Sequence, residues 1–178
     1  ELNQVWKQLQ KHYGINQDYA IVHAGSGKSA PNLSLEQYRI LIRQLLDRSE
    51  CQIVLTGSLT EVEFNEQILE GLLKDRMINL SGKLNLVELM EGIRNARLMI
   101  TSITGPLHLA DAQKTPVLGF FCPLPPHTPV RWGPFQQSKW VVMPELNDPE
   151  SCQLKKCLHG GCLKLLNSDT IEEVLNRR

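Results

Sequence analysis

Apolar and polar positions along the chain alternate between two rhythms. Short β-branched and apolar runs at residues 19–23, 52–56, 77–80, 98–101, 117–121 and 140–143 read as buried strands. Between them, apolar positions recur at helical spacing over residues 35–46, 61–73, 86–95 and 106–113, and residues 170–177 close the chain with one more helix. In the second of these helices Val62, Ile68, Leu69, Leu72 and Leu73 carry the apolar stripe. Three helix starts are signalled by a capping residue three positions before a Glu or Gln: Ser34 with Gln37, Thr60 with Glu63, and Asn85 with Glu88.

Strand followed by helix, repeated about five times, predicts an α/β domain. Its parallel Rossmann-like sheet is wound by right-handed crossovers, with helices on both faces. Residues 1–18 read as a lead-in helix joining or bracing a preceding domain, residues 19–143 as the nucleotide-binding domain, and residues 144–178 as a C-terminal segment with a closing helix.

Ligands of such sheets bind beyond the carboxyl ends of the strands. The search for chemistry therefore narrows to the loops at residues 24–33, 57–60, 81–85, 102–106 and 122–137. The last of these carries five of the ten prolines, and a loop of that length in a compact domain is usually functional.

Composition narrows the functional classes. The 178 residues are 42% hydrophobic, enough for a sizeable core without disulfide support. Nineteen basic residues balance nineteen acidic ones, which excludes a surface built for nucleic acid. No window reaches the roughly eighteen apolar residues of a membrane span, and the polar start at residues 1–11 is unlike a secretory signal. The expectation is a cytoplasmic protein. Five cysteines is an odd count. Cys51 and Cys122 sit in or beside apolar runs as small hydrophobes.

Four loop features carry candidate chemistry. His23-Ala-Gly-Ser-Gly-Lys-Ser29 follows the first strand but lacks the first glycine of a Walker loop, since Val22 occupies that place. What remains is a Gly- and Ser-rich turn with backbone N–H groups and Lys28, either a plain connection or a phosphate seat. Thr104-Gly105-Pro106 opens a helix: proline at the first helical position has no N–H to leave unpaired, and the helix N-terminus favours an anion. His108 falls in its first turn, packed on the sheet or beside that anion. Glu61 and Glu63 follow the second strand, where a carboxylate can accept from ribose hydroxyls or cap the helix. Cys152, Cys157, His159 and Cys162 form either a zinc site with loose spacing or a reduced C-terminal segment. No Ser–His–Asp arrangement, no HExxH and no G-x-G-x-x-G after the first strand are present, which sets aside hydrolase, zinc-protease and dehydrogenase readings.

Together, His23-Ala-Gly-Ser-Gly27, Asn79-Leu-Ser-Gly-Lys-Leu84, Thr104-Gly-Pro-Leu-His-Leu-Ala110, Thr115-Pro-Val117 and Arg131-Trp-Gly-Pro134 resemble the C-terminal half of the lipopolysaccharide heptosyltransferases, glycosyltransferase family 9. The resemblance implies a GT-B architecture of two Rossmann-like domains, of which this is the one that binds the nucleotide sugar. It also implies ADP-heptose as donor and the inner core of lipopolysaccharide as acceptor. Transfer would invert the anomeric centre without a metal or other cofactor. The general base would lie in the N-terminal domain, so this half alone would be inactive. The place of action would be the inner face of the inner membrane, without an integral membrane segment.

Residue by residue, the resemblance places Ser26 and Gly27 near the diphosphate. It assigns Thr104, Gly105 and His108 to the diphosphate and sugar at the start of the helix opened by Pro106. Glu61 or Glu63 falls to the ribose and Leu84 to the adenine. Two positions depart from the family: Ile103 stands where an Asp would touch the sugar, and Pro31-Asn32-Leu33 where a Lys would touch phosphate, leaving Lys28 as the substitute cation. The alternative these departures raise is a divergent or inactive relative that uses another nucleotide sugar, or binds only nucleotide or protein.

Overall fold

A computed structural model describes residues 2–16, 18–27, 30–72, 74–135, 141–145 and 162–176. Six parallel strands form one sheet in the order β3-β2-β1-β4-β5-β6: β1 (Tyr19–His23), β2 (Gln52–Thr56), β3 (Met77–Asn79), β4 (Leu98–Ser102), β5 (Val117–Phe120) and β6 (Val141–Val142). The helices are α1 (Leu2–Tyr13), α2 (Leu35–Arg48), α3 (Val62–Leu69), α4 (Leu86–Asn95), α5 (Gly105–Ala112), the single turn α6 (Pro129–Trp132) and α7 (Ser168–Asn176). No helix of the described residues is long and apolar enough to cross a membrane.

The strands are apolar on both faces because both are covered. Ala20, Val22, Ile53, Leu55, Leu98, Ile100, Leu118 and Phe120 point into one core, with Tyr38, Leu41 and Leu45 of α2 and Ile171 and Leu175 of α7. The alternate positions Tyr19, Ile21, Val54, Met99 and Val117 point into the other, with Trp6 of α1, Ile93 of α4 and Leu107 of α5. This period-two partition is what a doubly covered parallel strand requires.

The first and last described helices, α1 and α7, both belong to these cores. Trp6 is buried against Gly92, where an added Cβ would lie 2.8 Å from its ring, and the Tyr19 hydroxyl donates to the Gly92 carbonyl at 2.6 Å. The Gln37 amide donates to the carbonyls of Leu163 and Leu166 at 2.7 and 2.6 Å, tying α2 to the turn before α7.

Two capping boxes form where the sequence places them, at Ser34–Gln37 and Asn85–Glu88. The third is displaced. A 3-10 turn, Leu59–Glu61, starts directly after the loop that follows β2, so the reciprocal pair is Ser58 with Glu61 rather than Thr60 with Glu63. The early start consumes three residues, and α3 ends at Leu69 instead of running to residue 73.

Strand order reverses between β1 and β4: the chain leaves β1 toward β2 on one side and leaves β4 toward β5 on the other. The loops after β1 and β4 therefore splay apart and open a crevice at the carboxyl edge, the place where α/β sheets bind ligands.

Candidate functional site

The turns after β1 and β2 meet at that crevice, and Glu61 is their common point. Gly27, at φ +54°, donates its N–H to Glu61 Oε1 at 3.1 Å. Glu61 Oε2 accepts from the Ser58 N–H at 2.8 Å and the Ser58 hydroxyl at 2.9 Å. The carboxyl group lies over Gly25, where an added Cβ would come within 2.0 Å of its carbon, and beside Gly57, at 3.1 Å from Oε2. Both glycines are present because the carboxylate fills the space a side chain would take. Burial alone would raise the Glu61 pKa. The N–H groups of Ser58 and Gly27, the Ser58 hydroxyl and nearby His23 outweigh it and hold the carboxyl below its ordinary value. Glu61 is therefore an anion at neutral pH, with three of about four acceptor positions occupied and room for a donor from a ligand.

His23, at the end of β1, places Nδ1 3.0 Å from the Thr56 hydroxyl. Burial lowers its pKa, against the pull of Glu61, so it is neutral at pH 7. Asn32 fixes the rest of the loop after β1. Its amide donates to the Ala24 carbonyl, and Oδ1 accepts from the Leu33 N–H at 3.0 Å, the Tyr38 hydroxyl at 2.6 Å and the Ser102 hydroxyl at 2.7 Å. One side chain thus joins the loop after β1, helix α2 and the end of β4.

The N-terminus of α5 projects into this frame. Thr104 is extended at φ −137° and makes no side-chain cap, because its hydroxyl is paired with that of Thr101 at 2.8 Å. Two pockets share Thr104 and Gly105. The first, about 510 Å³, is lined by His23, Ser26, Gly27, Ser58 and Glu61 on its polar side and by Leu86, Leu89, Pro106 and Leu109 on its apolar side. The second, about 550 Å³, is lined by Ala30, Ile103 and Pro126 together with His108, His127, Arg131 and Trp132. Trp132 Nε1 donates to the Pro126 carbonyl at 2.9 Å, the Arg131 guanidinium sits 5.2 Å from the Trp132 ring centre, and the His108 ring is 6.0 Å from the same indole.

The sequence candidates sort as follows. Ser26, Gly27, Glu61, Thr104, Gly105, Pro106 and His108 all line these pockets. His108 is exposed on the pocket side rather than packed against the sheet. The Gly27 N–H is directed at Glu61 instead of outward. Glu63 is exposed on α3, and the place beside the Gly-rich turn belongs to Glu61. Leu84 packs against the α1–α4 core, while Leu86 and Leu89 supply the apolar wall. Ile103, 9% exposed, lines the second pocket. Lys28, Cys152, Cys157 and His159 lie outside the described residues. Cys162 is buried beside Leu163, and no metal-binding group of His, Cys, Asp or Glu occurs among the described residues.

Sequence reasoning missed Asn32, His127, Arg131 and Trp132 as site residues. The signal for the last three was the proline-rich stretch after β5, in which Pro129 opens the single turn of α6.

Comparison with known proteins follows this geometry. The model of the family described as glycosyltransferase family 9 (heptosyltransferase) matches residues 3–162. A putative glycosyltransferase of Haemophilus influenzae is 39% identical over 129 residues, 71% of this chain and 37% of that protein. The structure of a family 9 glycosyl transferase from Veillonella parvula superposes over 99% of this chain and 50% of its own, with TM-score 0.79 and 18% identity. The E. coli ADP-heptose lipopolysaccharide heptosyltransferase II superposes over 97% of this chain and 50% of its own, with TM-score 0.73 and 20% identity. The chain thus spans 37% of the length of that curated relative and half of each of these solved chains.

Proposed function

The chain belongs to glycosyltransferase family 9, and from that membership we propose that it is the half of a transferase that binds the nucleotide-sugar donor. The observation that carries the proposal is the pair of pockets meeting at the uncapped N-terminus of α5. A nucleoside diphosphate sugar has the same three-part layout. Its nucleoside fits the first pocket, with ribose at Glu61 and the base on Leu86 and Leu89. Its diphosphate crosses Thr104–Gly105, where the positive end of the helix dipole favours anions. Its sugar enters the second pocket beside His108 and Trp132.

The proposed donor is ADP-heptose and the proposed acceptor the inner core of lipopolysaccharide, a reading supported by the name of the E. coli structural relative. In the reaction, the bond between the anomeric carbon and the terminal phosphate oxygen breaks and its electron pair remains on that oxygen. An acceptor hydroxyl oxygen bonds to the opposite face of the carbon, which inverts the centre, and its proton passes to a base in the other half of the protein. No metal is required in this scheme, and the described half alone does not turn over. The site of action is the cytoplasmic face of the inner membrane.

Ile103 favours a second reading, a different donor sugar. An apolar side chain stands where the second pocket would otherwise offer a sugar hydroxyl a carboxylate, and losing such a bond shifts selectivity by about 1–3 kcal/mol.

Full-length protein incubated with heptose-deficient lipopolysaccharide and a panel of nucleotide sugars tests both readings. Release of ADP from ADP-heptose, undiminished by a chelator, supports the first. Release only with another sugar selects the second, and no release with any sugar contradicts both.

A further inference from the structure

A departing nucleoside diphosphate gains negative charge on its terminal phosphate, and a fixed cation at that phosphate stabilises the gain. Among the described residues lining the two pockets, one carries a permanent positive charge: Arg131, on the single turn α6. The other arginines that hold partners, Arg39, Arg48, Arg76, Arg94 and Arg97, are each paired with a carboxylate. Arg131 instead rests its guanidinium on the Trp132 ring, 5.2 Å from its centre. Such stacking orients the planar fork without consuming its five N–H donors.

Trp132 is itself held in place, by its bond to the Pro126 carbonyl. No carboxylate among the described residues lines the second pocket to compete for the charge. The cavity also contains Thr104 and Gly105, so the guanidinium and the N-terminus of α5 border the same space.

We propose that Arg131 binds the terminal phosphate of the nucleoside diphosphate and stabilises it as the leaving group. The inference rests on the donor reading given above. It adds a residue that receives the electron pair's charge when the bond between anomeric carbon and phosphate oxygen breaks. The first pocket holds the nucleoside and the second lies beyond α5, so Arg131 is on the side of the terminal phosphate, not the one joined to ribose. An arginine fork matches two phosphate oxygens at once, which a lysine does not.

The test compares ADP with AMP, measured by calorimetry on the full-length protein. The wild type is expected to prefer ADP, and Arg131→Gln to lose about tenfold or more of that preference, with AMP binding serving as the check that the variant is folded. Arg131→Lys is expected to recover part of it, and turnover of the Gln variant should fall in kcat more than in KM. If Arg131→Gln keeps the full preference while Lys28→Ala loses it, Arg131 is not the terminal-phosphate cation. If the wild type binds neither nucleotide, or shows no preference for the second phosphate, the donor reading itself fails.

Discussion

The two pockets on either side of α5 are built differently. The first is closed by a hydrogen-bonded knot in which Glu61, Ser58 and Gly27 hold one another and two glycines make room for the carboxylate. The second is framed by a proline-rich connection held by short-range turn bonds, by the Trp132–Pro126 bond and the stacking of Arg131, and by the Phe135 N–H donated to Asp111. The connection leaves Val130 and Phe135 97% and 95% exposed. The first pocket, the proposed nucleotide side, is preorganised by turns that leave adjacent strands, whereas the second, the proposed sugar side, is walled largely by one proline-rich segment. A site that must hold one constant group and admit a reacting one is well served by this asymmetry, because preorganisation lowers the ordering cost of binding where nothing needs to move.

The largest expected effect breaks both sides at once. An added Cβ at Gly105 meets nothing within 4 Å, so Gly105→Trp fills the shared corner without disturbing the core. Binding of ADP should fall by about 100-fold or more while the melting temperature stays near wild type, checked by calorimetry beside thermal denaturation.

Next is Asn32→Leu, which leaves the buried Tyr38 hydroxyl and the Ser102 hydroxyl without their acceptor. A loss of about 2 kcal/mol or more in denaturant unfolding is expected, with weaker nucleotide binding because the loop after β1 loses its tie to β4. Tyr38→Phe should cost less, about 1 kcal/mol, since Asn32 keeps its bonds to the Leu33 N–H and the Ser102 hydroxyl.

Glu61→Ala sharpens the comparison by acting on one pocket alone. Affinity for ADP should drop about tenfold and the preference for ADP over its 2′-deoxy analogue should vanish, read by competition titration. Acidification works on the same knot. Glu61 has a folded pKa below 4.5, so its stabilising contribution is complete above that value and is lost as pH falls through the lower one. His23 has a folded pKa below 6.5, so its contribution is complete above 6.5 and declines as pH drops through the folded value. Thermal stability measured from pH 7 down to pH 4 should therefore hold to about pH 6.5 and decrease below that value, with Glu61 adding to the loss below 4.5.

The smallest effect belongs to the exposed part of the proline-rich connection. Phe135→Ser should change stability by less than about 0.5 kcal/mol, because the side chain is exposed and the bond from its backbone N–H to Asp111 is kept.

These contrasts also explain what the sequence revealed. Periodicity located all six strands to within a residue or two, because a parallel sheet covered on both faces leaves each strand a continuous apolar run. Thr104–His108 was legible because proline at a helix start and glycine at a close approach have local causes. Asn32 was not, since its three acceptor bonds join residues as far apart as position 102, a relation no local pattern records. Arg131 escaped for a similar reason: its place depends on a proline-rich turn folding back over α5. Which of Glu61 and Glu63 reaches the pocket turned on where helix geometry begins, and the 3-10 turn puts Glu61, the residue nearer the strand, in its wall.

The central claim is that the crevice around α5 seats an adenosine diphosphate. Calorimetric titration of the full-length protein with ADP, UDP and NAD tests it most directly. Saturable binding of ADP, at least about tenfold tighter than UDP or NAD, is the expected result. Binding of UDP or NAD in preference, or no binding of ADP, would contradict it.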